Sequence, residues 1–575
     1  MNSSSEKYIR QRVLSALELL GILLLALVLR AGYIEQSGFT VDLLDIEEFG
    51  RATLDGGLLG VYARPPQQDY PPLPLVPLWA GFSAQKAISR LSTMTVLKAL
   101  PVAVDIALIV LAYVVFRRRR WGLRLGIPLT LAVLPGVIAT SAFWGQFDSA
   151  WTACVVLSAY LLKRSRFSLA WSVFALGMLI KPQVIVLAPV LGMFTLLLRG
   201  WRGVLRGGLA MSLTFALILL PFVVGSGLQE TLRPFQSSVG RFPFLTLNAL
   251  NLWLIFTAST GLSLEAPDYP MLPDNVPLSG LLTGYQIGLL LLGLYTLLVV
   301  IMVIRQRNRE RVFVWTGALY LAFFMLATQM HERYVYPAAI LALFAIAEDR
   351  RMVWVAVPLA VTFSYNIIAI TSMPFVWFGV NLWYVIGEAG LFAAVVNGLI
   401  LVLWTWFLLT PEPLVRPRAR RAEKWLKAAL AASFAGLVVY AALPEPLPQM
   451  NALDARFDNG ARLLGYEISR DEHALTVDLF WASTEPIPVD LAVFAHAMAG
   501  GERVVSDGGP PAVPSTRWAL NEVVTTRHVL DIGSLNPDTV SVVAGMYNAA
   551  LEPSPAMQDG APAQGDLIAL GMGQG

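Results

Sequence analysis

Long apolar runs separated by short polar turns recur along the first 443 residues of the chain. Many runs approach the length that an α-helix needs to cross a bilayer, so the pattern predicts a mainly α-helical transmembrane bundle of about 12–14 spans. The first run, residues 13–33, is too long for the core of a signal peptide and lacks a convincing cleavage site. We therefore expect it to be retained as the first span.

The pattern changes abruptly near Asn451, where apolar and polar residues begin to alternate. Alternation predicts half-buried strands, and turn residues separate four such runs. The runs are residues 475–481, 489–495, 523–530 and 540–547. We predict an all-β sandwich in residues 451–575, with a loose end from Pro553, after a membrane domain in residues 1–443. His473, His496 and His528 lack metal-ligand spacing and are interpreted as ordinary histidines.

Composition supports a membrane protein, because 56% of the 575 residues are hydrophobic and 14% are charged. Soluble domains usually carry about 25% charged residues. The net charge of +3 gives no indication of a nucleic-acid partner, and we expect the lipid bilayer to surround the helices. The single cysteine, Cys154, excludes an intramolecular disulfide framework.

Basic residues occur in groups between the apolar runs, and such groups collect in cytoplasmic loops. The groups are Lys7, Arg10 and Arg12; residues 117–120; Lys163, Arg164 and Arg166; Arg199, Arg202 and Arg206; residues 305–311; Arg350 and Arg351; and residues 416–427. We predict a cytoplasmic N-terminus and an extracytoplasmic β-domain. The turns expected outside are residues 143–148, 181–183, 229–279, 331–333 and 373–382. Residues 72–116 connect an outer loop to the inner basic group at 117–120, so they must cross the membrane an odd number of times. They hold two apolar segments. Either one segment is re-entrant or interfacial, or the region contains three short crossings.

The first outer loop, residues 32–72, is rich in carboxylates. They are Asp42, Asp45, Glu47, Glu48, Asp55 and Asp69. A carboxylate there can stay ionised and act as a general base, although a solvated acidic loop would show the same composition. Asp69 and Tyr70 precede a double proline that fixes the backbone where the loop ends.

Three further polar clusters are predicted on the same side of the membrane, and charges at such positions usually mark a site. They contain Gln146 and Asp148; Lys181 and Gln183; and His331, Glu332 and Arg333. Lys181 and Arg333 are donors that suit a phosphate. The alternatives are a polar turn around Gln146 and a snorkelling Lys181.

The long outer loop adds Asn248 and Asn251, which offer hydrogen bonds to a sugar, and Trp253, which offers stacking. Ordinary loop polar residues and an interfacial tryptophan are the alternative. No glycine-rich nucleotide-binding loop is evident. No metal-ligand set is unmistakable either, so we predict no cofactor, with a divalent metal left open.

The order of these elements resembles the GT-C glycosyltransferases, in particular bacterial polytopic mannosyltransferase-like enzymes that use polyprenyl-phosphate sugars. The resemblance covers about residues 10–410. It is carried by residues 45–49, 57–62, 69–73, 98–105, 144–148, 181–183, 248–253 and 330–334. The tail is similar to β-sandwich modules appended to some bacterial members, through Gly465-Tyr466, Trp481 and residues 516–518.

The resemblance implies an inverting reaction with its catalytic carboxylate in the first outer loop. The spacing to Phe49 makes Asp45 the best match and Asp42 the second. The family often has tryptophan three residues after this phenylalanine, where this chain has Ala52. Some relatives use a divalent metal.

The resulting expectation is a membrane glycosyltransferase, or hexosyltransferase, that moves a sugar such as mannose from polyprenyl phosphate to an acceptor outside the cell membrane. Glycan, glycolipid and protein acceptors all remain open. The first alternative is a transporter or a flippase for lipid-linked glycans, although no inverted repeat is evident. The second is a non-catalytic scaffold that presents the β-sandwich.

Overall fold

The structure is a computed structural model that describes most of the chain. The residues outside its description are 1–2, 37, 65–68, 89, 239, 260–271, 276–277, 279–281, 372–385, 412–449, 471–473, 484–486, 488–490, 501, 510–514, 516–517, 519–522, 534–538, 548–552, 559–560 and 572–575. Several predictions fall on these residues: the basic group 416–427, the outer turn at 373–382, His473, and residues 516–517.

The chain divides into two compact units, Met1–Ile34 with Val41–Ala442 and Glu35–Thr40 with Leu443–Gly575. The first unit is mainly helical. Its helices are α1 (Ser3–Ile34), α2 (Thr40–Asp55), α3 (Pro72–Ala87), α4 (Thr93–Phe116), α5 (Trp121–Val133), α6 (Pro135–Ile138), α7 (Asp148–Lys163), α8 (Phe167–Met178), α9 (Ala188–Ser226), α10 (Leu228–Gln236), α11 (Leu252–Ser259), α12 (Gly284–Gln306), α13 (Val312–Leu326), α14 (Tyr336–Ala345), α15 (Val353–Thr371) and α16 (Ile386–Leu409).

Six helices in the described ranges are long and apolar enough to cross a membrane, which indicates a multi-pass membrane protein. They are Val13–Ile34, Thr93–Phe116, Pro182–Ser226, Gly284–Gln306, Arg350–Thr371 and Gly390–Leu409. A seventh span results if Trp121–Val133 and Pro135–Phe143, bent by 50°, count as one. The larger number expected from the sequence depends on shorter helices, such as α7 with 16 residues and α13 with 15, and stays a prediction.

Two local features bear on the predicted crossings. Of the two apolar segments within residues 72–116, α4 qualifies as a span, whereas α3 has 16 residues and does not. The number of crossings in this region stays a prediction, because α3 is as long as α7, which is counted among the shorter possible spans. The long helix α9 is broken at Gly200, whose φ of 63° is left-handed, so the chain turns at the basic group around Arg199 and Arg202.

The second unit consists of two antiparallel sheets. Two short strands, β1 (Thr246–Leu247) and β2 (Met330–His331), belong to the first unit. The strands of the second unit are β3 (Asn451–Phe457), β4 (Ala461–Arg470), β5 (Ala474–Ser483), β6 (Ala492–Ala499), β7 (Glu502–Gly509), β8 (Val524–Asp531), β9 (Ser541–Tyr547), β10 (Ala556–Gln558), β11 (Ala561–Pro562) and β12 (Ile568–Leu570). The strand orders are β11-β10-β3-β4-β5-β8 and β12-β9-β6-β7. The predicted strands around Leu475, Val524 and Val542 are confirmed.

One apolar core is built from both sheets, as a sandwich requires. Trp481 of β5, Ala495 of β6 and Val542 of β9 are buried in it. The end after Pro553 was expected to be loose. Instead, β10 pairs with β3 and β12 pairs with β9, so this segment adds an edge to each sheet.

Candidate functional site

Polar side chains from four separate segments of the helical unit meet in one cluster. The segments are the first turn of α2, the turn at residues 143–148, the junction between α8 and the 3₁₀ helix Pro182–Leu187, and the link between α13 and α14. Three of these segments interrupt or end apolar helices, whereas the first turn of α2 begins a helix with many charged residues. At these helix ends and turns the chain presents polar side chains, which a continuous apolar helix does not carry.

Asp42 joins α2 to the turn that precedes α7. Its Oδ2 accepts hydrogen bonds from Trp144 Nε1 at 3.1 Å and Gln146 Nε2 at 2.6 Å. The turn passes through Gly145, whose φ is 76° and whose missing Cβ would lie 2.9 Å from Leu43 Cδ2. Glycine therefore lets the two segments approach closely enough for Asp42 to be held by two donors.

Asp148, the first residue of α7, is completely buried and pairs with Lys181. The Oδ1 atom of Asp148 accepts hydrogen bonds from Lys181 Nζ and Trp151 Nε1, each at 2.9 Å. The Lys181 Nζ atom also lies 4.7 Å from the centre of the Tyr334 ring. Lys181 is thus held in the cluster instead of extending away from it.

Arg333 lies at the centre of the charges. Its Nη1 donates to Glu332 Oε1 at 2.9 Å and lies 3.7 Å from Asp42 Oδ2, while its Nε lies 3.8 Å from Asp148 Oδ2. The guanidinium carbon is 4.9 Å from the centre of the Trp144 ring. Arg333 therefore links all the carboxylates of the cluster, and 15% of its side chain remains exposed.

The structure also brings His331 and Asn248 together. Strands β1 and β2 pair in parallel, with Leu247 opposite His331, and Asn248 forms a bridge to His331. The His331 ring contacts Tyr334 edge-on, with 5.3 Å between ring centres. Asn248 has a φ of 57°, and its carbonyl accepts a hydrogen bond from Asn366 Nδ2 at 2.9 Å.

Asp45 lies one turn after Asp42 on α2 and is exposed. Nearby, Asp69 Oδ2 pairs with Arg241 Nη1 at 2.6 Å. Burial of part of the Asp45 carboxyl raises its pKa, and the charge of Asp42 raises it further, whereas Arg241 lowers it. Asp45 is thus a reachable carboxylate with a stronger affinity for a proton than an isolated aspartate has.

Burial also shifts the pKa values of His331, Glu332 and Arg333, which lie in the link between α13 and α14. It lowers the pKa of His331 well below the usual value, and Arg333 and Lys181 lower it further, so the ring is neutral at pH 7. Burial raises the pKa of Glu332, an effect that Arg333 opposes. Burial alone would lower the pKa of Arg333, but Asp42, Glu332 and Asp148 together raise it, so the guanidinium stays charged.

Three predicted residues have contacts that favour a supporting role. The Tyr70 ring packs between Phe49 and Phe147, with centres 5.9 and 5.5 Å apart. Gln183 donates to the Tyr334 hydroxyl at 3.3 Å. Asn251 is buried, and its Oδ1 accepts from the backbone of Trp253 and Leu254 at the start of α11. Its side chain therefore caps a helix instead of facing the cluster.

Sequence reasoning missed two components of the site. Arg241 pairs with Asp69 and influences Asp45, yet it is a single arginine in a long loop, which gives no pattern to recognise. The rings of Trp144 and Tyr334 were noted as parts of motifs, but their contacts with Arg333 and Lys181 depend on helix packing.

Within the described ranges, no group of three or more His, Cys, Asp or Glu side chains is placed to hold a metal ion. No model of a known protein family matches this chain, and a search of curated proteins gives no significant match.

Proposed function

We propose that the chain is an inverting membrane glycosyltransferase, which moves a sugar from a polyprenyl-phosphate donor to an acceptor. The observation that carries the proposal is the convergence of two cations and several carboxylates from four segments around Arg333. This arrangement supplies a base and phosphate-binding donors at one place, which is what sugar transfer from a phosphate leaving group requires. Mannose is the first hexose to test.

Asp45 is the proposed general base. Asp42 is committed to two hydrogen bonds on one oxygen, from Trp144 and Gln146, so it holds neighbouring side chains in place. Asp45 is exposed and has a raised pKa, and its position three residues after Asp42 places both on one side of α2. An acceptor hydroxyl could therefore reach Asp45 beside the cluster.

The reaction is a single displacement at the anomeric carbon of the sugar. The acceptor oxygen bonds to this carbon and gives its proton to Asp45, while the bond to the phosphate oxygen breaks and the electron pair leaves with polyprenyl phosphate. One displacement inverts the configuration. Negative charge develops on the leaving phosphate, and charged donors stabilise it most strongly where water is largely excluded.

Lys181 and Arg333 are the proposed donors to that phosphate. Among the described residues, the side chain of each donates one hydrogen bond, to Asp148 and Glu332 respectively. An ammonium carries three N–H donors and a guanidinium carries five, so both retain donors. Buried Arg333 Nε has no hydrogen-bond partner in the described structure, which marks a donor available to a ligand.

The test uses purified full-length protein, polyprenyl-phosphate [³H]mannose and a crude acceptor fraction from cell envelopes. We expect label to move into product with inverted anomeric configuration, and we expect the matched variant Asp45→Asn to transfer it roughly 10²- to 10⁴-fold more slowly. Movement of the donor across vesicle membranes without any sugar transfer would favour the flippase and overturn the proposal.

The proposal also places the cluster outside the cell, with the basic groups inside. Single cysteines at Arg118 and at exposed Asp45, introduced into a Cys154→Ala background, test this placement with an impermeant thiol reagent. We expect labelling of intact cells at position 45 and not at position 118. Labelling at position 118 alone would reverse the orientation and exclude an external site.

A further inference from the structure

A second concentration of charge lies at the other end of the helices that carry the candidate site. Helix α7 has Asp148 at its first residue and Lys163 at its last. Fifteen residues of α-helix separate these two by roughly 22 Å. A cavity of about 510 Å³ lies at the Lys163 end, away from the cluster around Arg333.

The cavity brings together basic groups that are far apart in the sequence. Its charged lining residues are Arg117, Arg118, Arg119, Lys163, Arg164, Arg166, Arg309, Glu310 and Glu348. Seven are basic and two are acidic. Basic residues spread over the cytoplasmic loops would be enough to set the orientation of the helices in the membrane. That role alone therefore does not explain why seven basic side chains converge around one cavity.

Pairing within the protein distinguishes this set from other basic residues nearby. Lys163 Nζ pairs with Glu348 Oε1 at 2.8 Å and with Glu310 Oε2 at 3.0 Å, which anchors one wall. Arg351 is satisfied elsewhere, by Asp349 at 2.7 Å. In contrast, the exposed side chains of residues 117–119, 164 and 166 make no hydrogen bond or ion pair within the described structure.

The cavity wall continues onto an apolar surface. Val114, two residues before the end of the candidate span α4, lines the cavity and is 37% exposed. Phe116 and Phe313 also line it and are buried against Phe344. A ligand with an anionic head in the cavity and an apolar chain along α4 would satisfy both surfaces.

We propose that this cavity binds the phosphate headgroup of an anionic phospholipid. The unpaired arginines supply the charge-assisted hydrogen bonds that phosphate prefers. Basic pockets between membrane helices are a recognised type of headgroup site. The exposed apolar flank of α4 favours a lipid over a free phosphate or a nucleotide, because neither of these has an acyl chain to cover it.

The test is native mass spectrometry of the full-length protein in detergent, titrated with phosphatidylglycerol or phosphatidylcholine. We expect wild-type protein to retain phosphatidylglycerol preferentially. The variant Arg117→Gln/Arg118→Gln/Arg164→Gln should bind it roughly 10- to 100-fold more weakly, since each basic group near an anionic lipid contributes a substantial share of the attraction.

The matched control is Arg199→Gln/Arg202→Gln/Arg206→Gln, which removes three exposed arginines from a group that does not line the cavity. It should retain wild-type lipid affinity, and both variants should unfold at the wild-type temperature without added lipid. Equal losses in the two variants would show a general charge effect and overturn the proposal. So would displacement of the lipid by millimolar inorganic phosphate.

Discussion

Two groups of buried charge in the helical unit differ in their access to a ligand. Arg30 of α1 and Asp105 of α4 pair at 2.9 Å with both side chains completely buried. Arg30 also donates to the carbonyl oxygens of Ala26 and Ala132, and Ser141 donates to Asp105. These contacts join α1, α4 and the helices that follow α4.

The candidate site also consists of ion pairs between carboxylates and cations, but several of its side chains are partly exposed to solvent. The side chains of Asp42, Lys181 and Arg333 remain 26, 16 and 15% exposed. A closed ion pair can stabilise one arrangement of helices and cannot meet a substrate. An open group can exchange some contacts with a ligand. Changes in the first group should therefore affect folding, and changes in the second should affect activity.

The largest effect is expected from Asp45→Asn. The substitution keeps the size of the side chain and removes the proposed base, so the transfer rate should fall roughly 10²- to 10⁴-fold. Donor binding should be nearly unchanged. Sugar transfer and donor binding are measured separately at equal membrane expression.

Asp42→Asn is the matched control for this prediction. It should lose less activity, because Asp42 holds Trp144 and Gln146 in place and does not accept the acceptor proton. An inactive Asp42→Asn beside an active Asp45→Asn would transfer the role of base to Asp42. Full activity in both variants would contradict a first-loop carboxylate mechanism.

Arg30→Met should be destabilising and should have little specific effect on turnover. It leaves Asp105 buried without its cation, a change that typically costs about 3–5 kcal/mol. Thermal unfolding in detergent measures the loss. The double variant Arg30→Met/Asp105→Leu should recover much of the stability, because a buried pair can be replaced by apolar side chains at little cost. A stable single variant with low turnover would remove the distinction between the two groups.

The sequence predicts which residues belong to the candidate site better than it predicts which of them form ion pairs with one another. Lys181, Asp148 and Arg333 were found because each interrupts an apolar run. Which carboxylate meets which cation depends on how α7, α8 and α13 pack, and no local pattern encodes that. The closed pair was missed because Arg30 and Asp105 lie inside apolar segments 75 positions apart.

The same contrast applies to the fold. Alternation with a period of two predicted several strands of the β unit, because one face of each strand must be buried. The short strands β10 and β12 contain three residues each, which is too few to show such a pattern. Short buried helices such as α14, with 10 residues, cannot be assigned as spans from length alone.

Arg333→Ala should reduce donor affinity or turnover by about 10- to 100-fold, the loss expected for a hydrogen bond to a charged group. Arg333→Lys should restore part of the activity, since lysine keeps the charge but lacks the planar fork. Lys181→Ala should resemble Arg333→Ala. Donor titrations with each purified variant measure these effects. Wild-type donor kinetics in Lys181→Ala would remove this residue from the phosphate site.

The smallest expected effect is a shift in the pH profile of transfer. Asp45 must be ionised to accept a proton, so kcat/KM should decline as the pH falls through its raised pKa. The charge of Asp42 contributes to that rise, whereas Arg241 opposes it. Asp42→Asn should therefore move the acidic limb to lower pH, and Arg241→Gln should move it to higher pH.

The opposite signs of these two shifts make the pair of variants informative. A loss of folding would lower the amplitude of both profiles without moving their limbs in opposite directions. The profiles are measured as kcat/KM, which reports ionisation in the free enzyme, with donor well below saturation. Shifts in the same direction would mean that the titrating base is not Asp45, whichever variant is less active at pH 7.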